Sequence, residues 1–459
     1  MKVVSSFYIE NFGCRATQAD GAAIERQFEG RGFARGLAQT AELVVLNTCT
    51  VTAAADQDAR AAIRRIHRQN PSAKILVTGC YAQRAPEEIA AMPGVTWVVG
   101  NSHKAKIAEI ALPDLIPANS VGSDFGQSCF VPLHQLENAE NPIHVSDIFA
   151  HTELLAAPVF GAGSDRTRPN LKVQDGCDNR CSFCVIPSVR GQSRSLRLDQ
   201  VIREVENLVA GGFREIVISG INLGRWGRDF TPQQRFEDLV RAILERTNLQ
   251  KLRISSVEPM DWSDELIALL ASSTRVARHA HVPLQSGSDT VLRRMHRKYR
   301  PWHYREKIEK IRAAMPTAAI GADVMVGFPG ETDAEFEETR RLIEALPFTY
   351  LHVFTYSARP GTPAAELATQ VPVRIARDRN AVLRELAAAK KLAFMRSFVG
   401  ESVEAITLST GNETSTEALT SNYLKLRLAG RHEANQWLQV HVDGVEAGGL
   451  LGTLEPVAA

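Results

Sequence analysis

Cys177, Cys181 and Cys184 stand in a Cys-x-x-x-Cys-x-x-Cys spacing within residues 173–187. Three thiolates that close together in one loop read as ligands of an iron-sulfur cluster. Such clusters are normally held by four cysteines, so a triad with no fourth nearby predicts a 4Fe-4S cube with one iron left for a non-protein ligand. An open coordination position marks chemistry, by the logic that separates catalytic from structural zinc sites. Zinc is the rival occupant, but its motifs pair Cys-x-x-Cys with a second pair or with two histidines. No such partner lies within reach in sequence.

Three more cysteines fall where a fold could gather them. Across residues 1–115, short β-rich runs alternate with helical stretches, as a doubly wound parallel sheet requires. Strands are expected at 3–9, 43–46, 74–78 and 96–99, and helices over 20–30 and 53–68. Cys14 follows the first strand in Asn11-Phe12-Gly13-Cys14. Cys49 follows the second in Asn47-Thr48-Cys49-Thr50-Val51-Thr52, and Cys80 the third in Thr78-Gly79-Cys80-Tyr81. Parallel strands bring all three thiols to the carboxyl edge, where open α/β sheets bind ligands. Cysteine is also among the residue types most often buried inertly. Here, though, each sits beside a glycine or an Asn-Thr turn and outside the apolar run, which favours a second cluster with three protein ligands.

Residues 116–166 scatter Pro, Gly, Ser and Asn and read as a linker or insertion. The leftover Cys129 has no partner motif and reads as a free thiol without a role. Residues 167–395 return to a regular pattern, with apolar runs at 215–219, 251–256, 279–284, 319–326 and 350–355 separated by helices. That alternation means βα units around a parallel sheet, hence a full or partial barrel. Barrel chemistry sits at the carboxyl ends of the strands. There the chain places Ser219-Gly220-Ile221-Asn222, Ser255-Ser256-Val257-Glu258-Pro259, Pro283-Leu284-Gln285-Ser286-Gly287 and Gly327-Phe328-Pro329-Gly330-Glu331-Thr332. Any one of these is explained by a turn that needs glycine. As a set following a cluster loop they read as a cofactor cradle.

Residues 396–459 switch to period-two patterning at 402–408, 423–428 and 437–445, which is a small β-barrel. From Phe398 on, that segment carries eight acidic residues against Lys425, Arg427 and Arg431 alone, so it does not attract RNA by bulk charge. Either a local face of Tyr423, Lys425, Arg427, Arg431 and Trp437 contacts RNA, or this barrel chiefly packs on the rest of the chain. Two basic stretches precede it. Residues 293–300 interleave Arg, His and Lys with the following Trp302 and Tyr304, and residues 374–396 form a basic helix; charge runs are otherwise solvated helix faces. Over 459 residues the formal net charge is only +1, so no whole-chain attraction to nucleic acid follows. No apolar run approaches bilayer length and the N-terminus lacks a signal-peptide core. Seven cysteines, six of them in two sets, fit reduced thiols and metal in the cytoplasm better than disulfides.

The run from Asp175 through Cys177, Cys181 and Cys184 to Pro187 resembles the signature of radical S-adenosylmethionine (SAM) enzymes, and within them the methylthiotransferases. The segments Asn47-Thr48-Cys49-Thr50-Val51-Thr52 and Thr78-Gly79-Cys80-Tyr81-Ala82-Gln83 resemble that family's auxiliary-cluster motifs, most closely those of the tRNA threonylcarbamoyladenosine group. Thr17 departs from the pattern, standing where the family usually has asparagine. The resemblance implies a central partial (β/α)6 barrel, a TRAM-like C-terminal β-barrel, two 4Fe-4S clusters and SAM. It implies that the Cys177, Cys181, Cys184 cluster cleaves SAM to a 5′-deoxyadenosyl radical, while the Cys14, Cys49, Cys80 cluster carries the sulfur to be methylated. Gly220 and Asn222 would meet the methionine end of SAM; Glu258, Gln285 and Asp323 are candidates for its ribose or amino groups. The implied partners are a tRNA anticodon stem-loop and a low-potential electron donor of flavodoxin or ferredoxin type, with no membrane. The implied reaction is methylthiolation of carbon 2 of N6-threonylcarbamoyladenosine. The alternatives are isopentenyl-adenosine in tRNA, an aspartate of a ribosomal protein, or a non-enzymatic RNA-binding module with metal-stabilised cysteines.

Overall fold

The computed structural model describes residues 6–111, 143–151, 154, 167–446 and 448–455. Cys129 and most of the 116–166 segment lie outside the described residues. The chain divides into two compact units. The first combines the described residues up to 154 with Val185–Gln192, and the second holds those from 167 to Cys184 and from Ser193 onward.

The first unit is a six-stranded sheet: β1 Ser6–Asn11, β2 Ala34–Arg35, β3 Leu43–Thr48, β4 Lys74–Gly79, β5 Val95–Gly100 and β6 Ile143–His144, in the order β2-β1-β3-β4-β5-β6. Every pairing is parallel. The alternation along β3 explains the two covered faces. Leu43 and Val45 pack with Phe7, Ile24, Phe28 and Ile107, whereas Val44 and Leu46 pack with Ile63, Ile66, Ile75 and Val77. Helices Arg15–Glu29 and Ala53–Gln69 therefore lie on opposite sides, as in a doubly wound fold. The two-residue strands β2 and β6 are too short to show in a sequence pattern.

The second unit opens with β7 Asn170–Lys172 and the short antiparallel pair β8 Gln174–Asp175 and β9 Arg194–Ser195. The strands β10 Glu215–Ser219, β11 Lys251–Ile254, β12 His279–His281, β13 Ala319–Val326 and β14 Tyr350–Thr355 follow, each but the last preceding a helix that returns the chain to the next strand. Two parallel three-stranded sheets, β11-β10-β7 and β12-β13-β14, meet through bridges Leu252↔Val276 and Ser256↔His281. The result is a six-stranded partial barrel. Residues 216, 218, 252, 254, 280, 320, 322 and 324 face the helix layer in one core. By the period of two, residues 217, 219, 251, 253, 279, 281, 323, 350 and 352 face the lumen. That lumen is polar, unlike the packed interior of a closed barrel. The first barrel strand, β7, has three residues and no apolar run, which hides it from sequence.

Strands β15 Ser402–Asn412, β16 Ser415–Thr420, β17 Lys425–Ala429, β18 Trp437–Glu446 and β19 Gly449–Leu454 close a barrel in the order β15-β16-β17-β19-β18. Its aromatic residues turn toward the partial barrel. Tyr423 packs at a tilt against His279 and Tyr350, at centroid distances of 4.8 and 5.9 Å, with the Arg253 guanidinium 5.3 Å from its ring. The Lys251 ammonium lies 4.9 Å from the Trp437 ring and 2.8 Å from Glu404. Of the two roles open to this module, the packing role is the one its aromatic residues fill.

The basic stretch at 293–300 is also largely committed within the unit. Arg293 and Arg300 pair with Asp289, Arg294 with Glu335, and Arg297 with Glu258. Tyr304 is fully buried, while Arg293, His296, Lys298 and Trp302 are exposed. In the basic helix Val373–Arg396, Arg379 is buried on Glu331 and Asp333. Glu331 also accepts from the Gly327 amide at 2.7 Å, so it closes its own turn; Thr332 and Glu335 cap the helix that follows.

Candidate active site

In the first unit, β1, β3 and β4 are immediate neighbours, and each is followed by a cysteine, directly after β3 and β4 and three residues after β1. Two glycines permit the approach. Gly13 has φ +94°, and a Cβ there would lie 2.4 Å from the Cys49 Cβ and 2.7 Å from its Sγ. Gly79, at φ +99°, leaves no room for a Cβ beside the Thr48 backbone, 2.2 Å from its oxygen. The Asn47 to Thr52 motif resolves residue by residue. Asn47, fully buried, donates to Asn11 Oδ1 (2.9 Å) and Thr17 O (2.7 Å), tying β3 to the Cys14 turn. Thr48 donates to Thr78 O at 2.5 Å, tying β3 to β4. Thr50 donates to Asp56 and receives Arg84 Nε, and Thr52 caps helix Ala53–Gln69 through the Ala55 amide. Every residue of the motif thus fixes where Cys49 sits, exposed Val51 through its backbone amide.

Around these thiols the polar contacts are specific. Thr17 Oγ1 lies 3.5 Å from Cys14 Sγ, and Asn101 Nδ2 lies 3.5 Å from Cys80 Sγ while donating to Val189 O at 2.7 Å. Threonine at position 17 therefore keeps a polar contact to the cysteine. Arg190 and Lys104 converge on buried Asp20 at 3.0 and 2.9 Å, and Arg190 also reaches Thr17 at 3.4 Å. Val185 and Val189 pack on Cys80. Burial, and then the charge on Cys80, pushes the Cys49 thiol up to about 11, with the Val51 amide and, more weakly, Arg190 opposing. Sequence reading missed Arg190: its partner Asp20 is 170 residues away, and no local pattern links them.

In the second unit Cys177, Cys181 and Cys184 occupy the loop after β8. Gln174 fixes its start, donating to Asp175 O, Gly176 O and Ser193 Oγ at 2.9 Å and accepting from the Asn222 amide at 2.7 Å. Asp175 forms a buried pair with Lys172 at 2.9 Å. Gly220 has its explanation here, since a Cβ would fall 2.8 Å from Gln174 Oε1. The far side of the loop is clamped by Ser182, which donates to Met295 O and Arg294 O and accepts from the Ala364 amide. Cys177 Sγ accepts from the Asn179 amide at 3.4 Å and faces Asn222 Nδ2 at 3.7 Å. Burial raises the Cys177 thiol against both donors. Arg297 Nη1 lies 3.2 Å from Cys181 Sγ, and its other nitrogen meets Glu258. Burial alone would lower the Arg297 pKa, but Tyr299, Glu258 and Cys181 together hold it well above the ordinary guanidinium value. This arginine stands within the stretch that sequence reads for RNA contact, which concealed its place beside Cys181.

The expected SAM contacts divide. Ser219 Oγ, Asn222 Oδ1 and Gln285 Oε1 are buried without a hydrogen-bond partner, and Gln285 adopts φ +62°. Unpaired polar atoms at the carboxyl ends of β10 and just beyond β12 fit a polar cofactor that completes them. Glu258 is committed to Arg297. Asp323 lies within β13 and not at its end, pairing with His281 at 3.2 Å. Among the described residues, the only three histidine, cysteine or carboxylate ligand atoms all within 4.8 Å of one another belong to His281, Asp323 and His352. Neither cysteine triad closes to that spacing. A single zinc ion, about 2.3 Å from each sulfur, draws its thiolates to within about 4 Å of one another. The wider spacing suits the separate corners of a cube.

Residues 171–343 match the Radical SAM superfamily, and residues 6–100 match the uncharacterized protein family UPF0004. The chain is 38% identical over 432 residues to the threonylcarbamoyladenosine tRNA methylthiotransferase MtaB of Bacillus subtilis (strain 168), covering 92% of this chain and 90% of that protein. The chain belongs to the MtaB-like radical SAM methylthiotransferases. MtaB of Aquifex aeolicus (strain VF5) is 33% identical, with 94% and 98% covered. The tRNA-2-methylthio-N(6)-dimethylallyladenosine synthase of Acidothermus cellulolyticus is 34% identical, with 87% and 77% covered. Among solved structures, the radical SAM methyltransferase TsrM of Kitasatospora setae shares the fold at TM-score 0.55 and 15% identity, covering 83% of this chain and 84% of that one. As a member of the MtaB-like family, this chain is an enzyme that transfers sulfur-containing groups and uses SAM with two 4Fe-4S clusters. Among the described residues, no helix is long and apolar enough to cross a membrane.

Proposed function

We propose that this enzyme methylthiolates carbon 2 of N6-threonylcarbamoyladenosine beside the anticodon of tRNA. The observation that carries this reading is the pair of three-cysteine sites, one in each unit, in a chain whose full-length relatives at up to 38% identity carry that substrate in their names. Cys177, Cys181 and Cys184 hold one cluster and Cys14, Cys49 and Cys80 the other. When bound, these groups supply the reductive cleavage of SAM and the sulfur of the methylthio group, chemistry that side chains cannot perform at an unactivated C–H.

The chain's own residues do the positioning. Gln174 and Gly220 set the register between the cluster loop and β10, which aims Asn222 at Cys177. Arg297 places positive charge on Cys181. Ser219, Asn222 and Gln285 offer unpaired polar atoms to the amino acid end and ribose of SAM. In the other unit, Asn47 and Thr48 lock the strand ends from which the sulfur-carrying site is built, and Arg190 supplies positive charge beside Cys49. Electrons come from a low-potential donor of flavodoxin or ferredoxin type.

Mass spectrometry of tRNA nucleosides from a strain lacking this gene tests the substrate. The expected result is loss of the 2-methylthio derivative of threonylcarbamoyladenosine, restored by the wild-type gene and not by Cys49→Ala. Intact threonylcarbamoyladenosine methylthiolation together with loss of the isopentenyl-adenosine product overturns the reading in favour of the sister activity, which the 34% identity to the dimethylallyladenosine synthase also accommodates.

A further inference from the structure

A group of ligand-type side chains unused by either cluster lies inside the partial barrel. His281 ends β12, Asp323 sits within β13 and His352 within β14, three neighbouring parallel strands. Their sequence neighbours Ala280, Val282, Ala322 and Val324 belong to the helix-facing core, and Leu351 and Val353 pack against it, so the alternation turns all three toward the lumen. One ligand atom from each lies within 4.8 Å of the other two. His281 Nε2 is 3.2 Å from Asp323 Oδ2, and the His281 and His352 rings are 5.5 Å apart.

The supports behind these side chains have the form metal sites use. His281 Nδ1 meets Tyr350 Oη at 3.0 Å, which holds the ring and leaves Nε2 for the lumen. A ligating histidine characteristically engages its other nitrogen in this way. Tyr350 is held in turn by His279 Nε2 at 2.7 Å. The group is graded from buried His281 through half-buried Asp323 to exposed His352. His352 and Tyr350 also line a cavity of 620 Å³, which gives an ion a way in. Two imidazoles and one carboxylate on one face, with positions left open, suit a divalent first-row transition metal.

We propose that His281, Asp323 and His352 form a third metal site, for one divalent ion such as zinc, distinct from the two iron-sulfur clusters. All three ligands come from backbone already fixed by sheet pairing, so binding orders few side chains. Because β14 is the edge strand of this sheet, the ion also ties that edge to β12 and β13.

The test uses enzyme with both clusters already built, because bare cluster cysteines also take zinc. Iron, sulfide and zinc are measured together by elemental analysis after equilibration with micromolar zinc and desalting. The expected result is about one zinc per chain in the wild type, lost in His352→Ala and in Asp323→Asn with iron and sulfide unchanged. Zinc also raises the melting temperature of the wild type and leaves that of both variants unmoved. X-ray absorption at the zinc edge is expected to show nitrogen and oxygen ligands at about 2.0–2.1 Å. Failure of the wild type to bind zinc, retention of zinc by both variants, or sulfur ligands at about 2.3 Å would each overturn the proposal. Asp323→Asn preserves side-chain volume, so it decides the matter if His352→Ala folds poorly.

Discussion

The two sets of three cysteines are assembled by opposite routes. Cys177, Cys181 and Cys184 are adjacent in one loop, and the fold has only to hold that loop from both ends, through Gln174 on one side and Ser182 and Arg297 on the other. Cys14, Cys49 and Cys80 lie on three separate strand ends and converge only because β1, β3 and β4 are parallel neighbours in register. The compact site is local in sequence and depends on a few clamps. The dispersed site depends on the whole sheet, and two of its thiols are buried, Cys49 and Cys80 at 5% and 2% exposure, while Cys14 is exposed. In each site burial raises one thiol above its ordinary value, Cys49 at the sheet edge and Cys177 in the loop.

That contrast is broken most sharply by removing one cysteine from each triad. Cys177→Ala is expected to abolish release of 5′-deoxyadenosine from SAM. Cys49→Ala is expected to preserve that release while eliminating methylthiolated product. Chromatography of both products in single-turnover reactions separates the roles, and equal loss of 5′-deoxyadenosine in the two variants would mean the sites do not divide the labour.

The next largest effect concerns the two arginines. Arg297→Ala leaves half-buried Glu258 without its partner, which costs up to roughly 3–5 kcal/mol, and strips the hydrogen bond from Cys181. Arg190→Ala leaves Asp20 still paired to Lys104, so the cost is smaller, roughly 1–3 kcal/mol. Thermal melts of the cluster-loaded proteins should rank them in that order. Their spectra should differ too, the radical SAM cluster being perturbed in the first and the auxiliary cluster in the second; perturbation of the same cluster in both counts against the assignment.

A smaller effect follows from pH. Cluster ligands must lose their protons, and burial holds the Cys49 thiol at about 11, above its ordinary value. The thiolate fraction therefore rises as pH climbs toward that value. Reconstitution of the auxiliary cluster in a Cys177→Ala background should quicken between pH 7 and 9, and a flat rate would remove burial as the cause.

Much of this was legible in the sequence, for identifiable reasons. Cys14, Cys49 and Cys80 announced themselves by standing beside Gly13, Thr48 and Gly79 at the ends of β-rich runs. The βα alternation of the partial barrel was equally plain at 215–219, 319–326 and 350–355, whose strands have those same bounds. What stayed hidden depends on distance along the chain. Arg190 acts on Asp20, and Arg297 on Glu258 and Cys181, across gaps that periodicity does not register. Tyr423 and Trp437 looked outward in a strand pattern, yet they pack on Arg253, His279 and Lys251, because an amphipathic ring covers a cationic stem as readily as it stacks on a base. Asp323 is a SAM candidate by resemblance alone, and the structure sets it within β13, 3.2 Å from His281.

The central claim is that two separate triads each hold a full cluster. Iron and sulfide quantification on anaerobically reconstituted protein tests it most directly, comparing the wild type with the variant in which Cys14, Cys49 and Cys80 are all alanine. The account predicts about eight irons in the first and about four in the second. About four irons in the wild type, unchanged when the three strand-end cysteines are removed, would contradict it.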